Sequence, residues 1–332
     1  MSRVNQPFDV QELGASSVRA SVEAPVVALG YFDGVHLGHR EIMREACRIA
    51  DAQGLTPTVH TFSDMPFTKS ARSGGALLTD LTEKSYWLAQ YGIKRVFFSP
   101  FDTTIKNIEA DLFLDMCLAE QLHAKAVVVG EDYRFGRHRL GDVSFLEKWG
   151  REHDVLVSVV PPFCLEGTVV SSSQIRNHVA EGRMSTANRM LGYPMSYTGV
   201  VEKGFQIGRT LGFPTANIPI PQDKCVPCYG VYASLFGVEG KLYPGVSNVG
   251  LRPTMCRNES VPLLETMLLD ETLDLYDKDV RVFLLDFMRA ESKFSDKGAL
   301  QDQVQRDISQ ARRFHVENSI DTSFLLPLVV KY

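Results

Sequence analysis

Leu29-Gly30-Tyr31-Phe32-Asp33-Gly34-Val35-His36-Leu37-Gly38-His39 follows the apolar run Val26-Val27-Ala28 and leads into a helical pattern from Arg40. Strand, glycine-rich turn, paired histidines and helix start therefore arrive in the order a phosphate site needs. Gly30, Gly34 and Gly38 let the backbone come close to a ligand. A helix N-terminus presents free N–H groups and the positive end of its dipole to an anion. His36 and His39 stand at that end and can donate hydrogen bonds to a phosphate during transfer. Two histidines alone read more simply as structural. The Phe32-Asp33-Gly34 turn before them and the strand–turn–helix setting favour the functional reading.

The same alternation continues outward through the first half. Residues 40–52 carry Ile42, Met43, Ala46, Ile49 and Ala50 on one helical face. Thr56–Phe62 reads as a strand, 80–91 as a helix and Ile93–Ser99 as a strand. A helix near 109–123 precedes Ala126-Val127-Val128-Val129-Gly130, and one near 142–153 precedes Val155–Val160. Strands apolar throughout and separated by helices predict a parallel, Rossmann-like sheet covered on both faces. Ligands bind such sheets at the carboxyl ends of the strands, where Gly30 and Gly130 lie.

From about Ser196 the pattern changes to short strands and turns: Tyr197–Val201, Gly230–Phe236, Lys241–Val246, Leu263–Asp270 and Val280–Phe287. This predicts an antiparallel β-barrel or sandwich closed by a terminal helix over about 297–316. The fold class is thus α/β plus β. The boundary falls near Met184–Pro194, giving domains 1–186 and 187–332.

The chain has 332 residues, 44% hydrophobic composition and a net charge of −5. Without a basic run it shows no nucleic-acid face, and no apolar stretch reaches membrane-spanning length. The start carries no secretory pattern, so a cytoplasmic protein is expected. Small molecules are the expected partners, and nothing in the sequence decides against a homo-oligomer. Of six cysteines only Cys225 and Cys228 form a C-x-x-C pair, with no second pair at zinc spacing; free thiols are expected.

Three further blocks carry chemistry. Val129-Gly130-Glu131-Asp132-Tyr133-Arg134-Phe135-Gly136 follows a strand, and Asp132 there reads equally as a turn cap. Ser171-Ser172-Ser173-Gln174-Ile175-Arg176 opens a helix; Arg176 can hold a phosphate with a planar pair of donors, whereas Ser172 alone reads as a cap. Gly204-Phe205-Gln206-Ile207-Gly208-Arg209-Thr210-Leu211-Gly212-Phe213-Pro214-Thr215-Ala216-Asn217 has glycines spaced to wrap phosphates, and Thr215 and Asn217 offer oxygen to Mg²⁺.

The first stretch resembles the signature of the nucleotidylyltransferase superfamily, and its Phe-Asp-Gly-Val-His variant resembles that of the bacterial bifunctional riboflavin kinase/FAD synthetase family. The run 204–217 resembles the riboflavin kinase signature G-x-x-x-G-R-x-L-G-x-P-T-A-N with no mismatch, and Gly230-Val231-Tyr232-Ala233 and Asn248-Val249-Gly250-Leu251-Arg252-Pro253-Thr254 match in order. The resemblance spans about Val26 to Arg313. It implies phosphorylation of riboflavin by ATP to FMN in the second half, then adenylylation of FMN to FAD in the first, with Mg²⁺ in both steps. It implies a nucleotide site at Gly30, Phe32, Asp33, Gly34, Gly38 and Ser172, with His36, His39 and Arg176 catalytic. It further implies Gly204, Gly208 and Arg209 at the kinase's phosphates, Glu265 as general base, and Asp132, Arg289 and Glu291 near the flavin. A flavin-binding protein without catalysis is the alternative class; it has no use for the histidine pair, Arg176 and a metal site together. The chain departs from the family at Tyr31, Asp64, Met65, Met267 and Asp277.

Overall fold

A computed structural model describes residues 9–12, 24–63, 76–203, 213–252, 261–271, 273–318 and 321–329. The chain divides into two compact units, one of Met1–Thr68 with Thr79–Ser172, the other of Lys69–Leu78 with Ser173–Tyr332.

The first unit contains β1 (Asp9–Glu12), β2 (Pro25–Leu29), α1 (Leu37–Gln53), β3 (Thr56–Phe62), α2 (Leu81–Gln90) and β4 (Arg95–Ser99). Then come α3 (Thr103–Asn107), α4 (Ala110–Leu114), β5 (Ala126–Gly130), α5 (Val143–Glu152), β6 (Leu156–Val160) and a hairpin of β7 (Cys164–Leu165) and β8 (Thr168–Val169). Six strands form one sheet in the order β1-β4-β3-β2-β5-β6, and every pair is parallel. Strand order reverses between β2 and β5. A sheet of this kind opens its ligand crevice at such a point, beyond the carboxyl ends. Gly30 and Gly130 stand there, as expected. Val27, Leu29, Val127 and Val129 pack with Phe113, Leu118, Leu146 and Trp149. The central strands β2 and β5 are buried along their length, which is why they are apolar throughout. The helix expected over 109–123 is α4 followed by a π-helical stretch, Asp115–Gln121. Apolar spacing alone cannot separate these two helix types.

The main segment of the second unit starts at Ser173, within α6 (Ser172–Ala180), and continues with α7 (Met184–Leu191). Then follow β9 (Met195–Val200), β10 (Ala216–Pro219), β11 (Gly230–Val238), β12 (Lys241–Arg252), β13 (Val261–Leu268), β14 (Asp279–Ala290) and the terminal helix α8 (Lys297–Glu317). The strands run in the order β10-β13-β12-β11-β14-β9, all antiparallel. A bridge between Glu202 and Asn217 brings the two edges together, so the sheet is a nearly closed barrel. Ile308 and Ala311 of α8 pack on Val231, Val246, Met267 and Leu269. The atypical Met267 therefore fills the seam under the terminal helix, where a flexible thioether packs well. Asp277 takes a φ of +60°. The turn demands a left-handed residue, which Asp tolerates better than most side chains.

Candidate active sites

The turn after β2 is held in a conformation that few residues accept. Phe32, Gly34 and Val35 have φ of +50°, +80° and +32°. A Cβ on Gly30 would come within 2.7 Å of the Phe32 ring, so the glycine makes room for that ring. A Cβ on Gly38 would sit 3.2 Å from the His36 ring and 3.3 Å from the Val170 carbonyl. Buried Asp33 accepts from the Thr79 N–H (3.2 Å) and, through its own carbonyl, from Ser172 Oγ (2.8 Å). The Gly34 N–H donates to Thr79 Oγ1 at 3.0 Å. Asp33 and Ser172 thus shape the loop from inside it.

His36 caps α1. Its Nδ1 accepts from the His39 N–H at 3.3 Å, and the two imidazoles stack with centroids 3.6 Å apart. Phe32 meets the His39 ring edge-on at 5.2 Å. Nδ1 of His39 is buried without a hydrogen-bond partner among the described residues. Burial first, then the neighbouring His36 and Lys84, hold His39 well below the usual imidazole range. It is therefore neutral at pH 7 in the unliganded protein and acts there as a hydrogen-bonding group rather than a cation.

Two residues of this region carry no motif. Lys84 donates to the carbonyls of Tyr31 (3.0 Å) and Phe62 (3.3 Å). Buried His60 pairs with Ser99 Oγ at 2.8 Å, and burial pulls its pKa down to about 4. A buried histidine that refuses a proton costs stability as pH falls below its unfolded value. The contribution is whole above pH 6.5, shrinks through acid pH and is gone below about 4. The expected loss is about 2 kcal/mol at pH 5. Thermal melts at pH 7.5 and pH 5 read this, and His60→Gln should narrow the gap between the two.

Asp132 is exposed just past β5, its Oδ1 3.1 Å from where a Cβ on Gly130 would lie. Arg176, on α6, donates from Nε to the Ala76 carbonyl at 2.7 Å and groups with the second unit.

In the barrel, strand register gathers the expected residues. Asn217 lies opposite Glu265, Glu265 opposite Asn248, Asn248 opposite Val231, and Val231 opposite Arg289. Directly opposed residues share a face, with Cβ atoms roughly 5 Å apart. Glu265 thus stands between two asparagines, partly buried. Thr215 just precedes β10. Arg289 is committed elsewhere: Nε and Nη2 form a two-pronged ion pair with Asp307 at 2.8 and 2.7 Å, and Nη1 donates to the Ala290 carbonyl and Ser292 Oγ. Gln303 also donates to Asp307. This fixes the chain after β14 to α8. Glu291 follows, its Oε1 only 2.4 Å from where a Cβ on Gly250 would lie, so the glycine leaves room for the carboxylate. Gly204, Gly208 and Arg209 lie outside the described residues, as do Asp64 and Met65. Cys225 and Cys228 are free thiols, and the described residues hold no cluster of metal-ligating side chains.

Residues 18–174 match the family model described as FAD synthetase, and residues 191–315 the one described as riboflavin kinase. The chain belongs to the bifunctional riboflavin kinase/FMN adenylyltransferase family. A member with that name from Escherichia coli (strain K12) is 36% identical over 298 residues, 89% of this chain and 94% of its own. One from Listeria monocytogenes is 33% identical over 87% of this chain and 92% of its own. A solved structure from Streptococcus pneumoniae, titled a macrolide-efflux protein, matches with a TM-score of 0.80 at 29% identity, covering 88% of this chain and 95% of that one. Among the described residues of the present family member, no helix is long and apolar enough to cross a membrane. Within the family frame, Lys84, Thr79 and Asp307 are the residues that motif reading misses. Each acts through a partner distant in sequence, so no local spacing announces it.

Proposed function

We propose that the barrel half phosphorylates riboflavin with ATP and that the parallel-sheet half adenylylates the FMN formed, releasing pyrophosphate. The observation that carries this reading is the tandem pair of family matches, each falling on its own set of phosphate-type residues. The functional division lies near residue 186, in the stretch between the two matches, giving domains 1–186 and 187–332.

In the first reaction the riboflavin 5′-hydroxyl attacks the γ-phosphorus while its proton passes to the Glu265 carboxylate; the bond to the ADP oxygen breaks. Asn217 and Asn248 flank that carboxylate and keep the strand face polar. The donor set suits a hard cation: a Thr215 hydroxyl and an Asn217 amide oxygen, the Asn217 carbonyl being spent on the Glu202 N–H. These residues would hold Mg²⁺, which when bound neutralises phosphate charge.

In the second reaction an FMN phosphate oxygen attacks the α-phosphorus of ATP and the bond to the β-phosphate oxygen breaks. His36 and His39 donate hydrogen bonds to the phosphates at the α1 N-terminus, and Arg176 supplies positive charge, so no covalent enzyme intermediate is needed. Asp132 and Glu291 serve the flavin side of the two reactions, and Arg289 holds the segment that carries Glu291. Gly204, Gly208 and Arg209 cradle the kinase's ATP. The enzyme works in the cytoplasm.

Incubation with riboflavin, ATP and Mg²⁺, followed by chromatography, should show FMN and then FAD. Excess chelator should stop both. FMN production undiminished by the chelator removes the metal from the reading, and riboflavin left untouched removes the kinase.

A further inference from the structure

Lys84 has only 2% of its surface exposed. Its described partners are the Tyr31 and Phe62 carbonyls and the Tyr31 ring, whose centroid lies 4.5 Å from Nζ. None of these carries a charge. The carboxylates on neighbouring elements are engaged with other donors: Asp33 Oδ1 with Thr79, Glu83 Oε2 with the Asp80 N–H, and Asp80 Oδ1 with the Glu83 N–H. Among the imidazoles, His39 on α1 feels the charge of Lys84 and stacks on His36; His60 on β3 is hydrogen-bonded to Ser99. An ammonium buried with no carboxylate in direct contact is costly, and the charge of nearby Asp33 offsets only part of that cost. Here it sits against the turn that ends in the histidine pair, where His39 Nδ1 is buried with no hydrogen-bond partner among the described residues.

We propose that Lys84 is a fixed countercharge for the triphosphate of ATP, a cation beneath the Gly30–His39 turn that binds the nucleotide through its field. The proposal rests on the adenylyl-transfer reading of this unit. It assigns to Lys84 ground-state binding of the nucleotide, distinct from the hydrogen bonding of the two histidines. Burial pulls the Lys84 pKa down to about 8, with Asp33 acting in the opposite direction. The countercharge therefore fades in mildly alkaline solution.

The test is the Michaelis constant for ATP in the conversion of supplied FMN to FAD, from pH 7 to 9.5. In the unaltered enzyme KM should rise through pH 8 and level off about tenfold higher by pH 9.5, the value of Lys84→Met, with kcat little changed. Lys84→Arg should keep KM low and flat to pH 9.5, because a guanidinium stays charged. Lys84→Met should raise KM about tenfold at pH 7 and show no further rise. Riboflavin phosphorylation by the other unit and the melting temperature report whether each variant is folded. A flat KM in the unaltered enzyme, or a rise in Lys84→Arg parallel to it, overturns the proposal. Absence of any FAD from the unaltered enzyme instead overturns the adenylyl-transfer reading beneath it.

Discussion

Replacing His36 by Ala is expected to lower FAD formation from FMN by about 100-fold to 1,000-fold, the scale of a lost oxyanion-type donor. Riboflavin phosphorylation should stay within about twofold, because the kinase residues lie in the other unit. Two effects of the substitution must be separated. His36 also caps α1, and losing a cap costs about 1 kcal/mol of stability. That is too little to unfold a stable domain, and it does not explain a rate loss of about 3 to 4 kcal/mol. His36→Asn distinguishes the two roles, since Asn is a good cap but brings no imidazole. It should melt close to the unaltered protein and yet be as poor in FAD synthesis as His36→Ala. Near-normal FAD synthesis by His36→Asn would reduce His36 to a cap.

Glu265→Gln is the second large effect. The substitution keeps size and hydrogen bonding on the β13 strand while removing the base. FMN formation should fall by about 100-fold to 10,000-fold, the contribution of a placed general base. FAD formation from supplied FMN should be unchanged. The neighbours sharpen the test. Asn217 and Asn248 lie opposite Glu265 on the two adjacent strands, so a glutamine there meets amides on both sides and has no unpaired charge to bury. Equal loss of both activities would mean the substitution damaged the fold; unchanged FMN formation would take the base role away from Glu265.

Much of this architecture was legible because burial writes itself into local pattern. The strand read at Thr56–Phe62 is the strand that forms, and the terminal helix read to 316 runs to Glu317. Barrel strands read as short are longer: Lys241–Val246 is the first half of β12, which continues to Arg252. Its later residues alternate with polar ones and end in a turn motif, which masks the strand. Strand β10 is hidden because Ala216 and Asn217 close the glycine-rich motif, where Asn217 reads as a metal ligand. Edge strand β1 is four residues long and pairs with β4, far along the chain. What no local spacing conveys is a contact between distant residues. Thr79 and Asp33 are 46 positions apart, and Lys84 and Tyr31 are 53 apart. Arg289 shows the same limit: its motif points to the flavin, whereas its guanidinium is spent on Asp307, 18 residues on.

The measurement that tests the two-step account most directly follows label from ATP into flavin. Starting from riboflavin, ATP labelled in the γ-phosphate should place label in FMN and retain it in FAD. ATP labelled in the α-phosphate should label FAD and leave FMN unlabelled. Label from the α-position in FMN, or FAD lacking label from the γ-position, would contradict successive phosphoryl and adenylyl transfer by this chain.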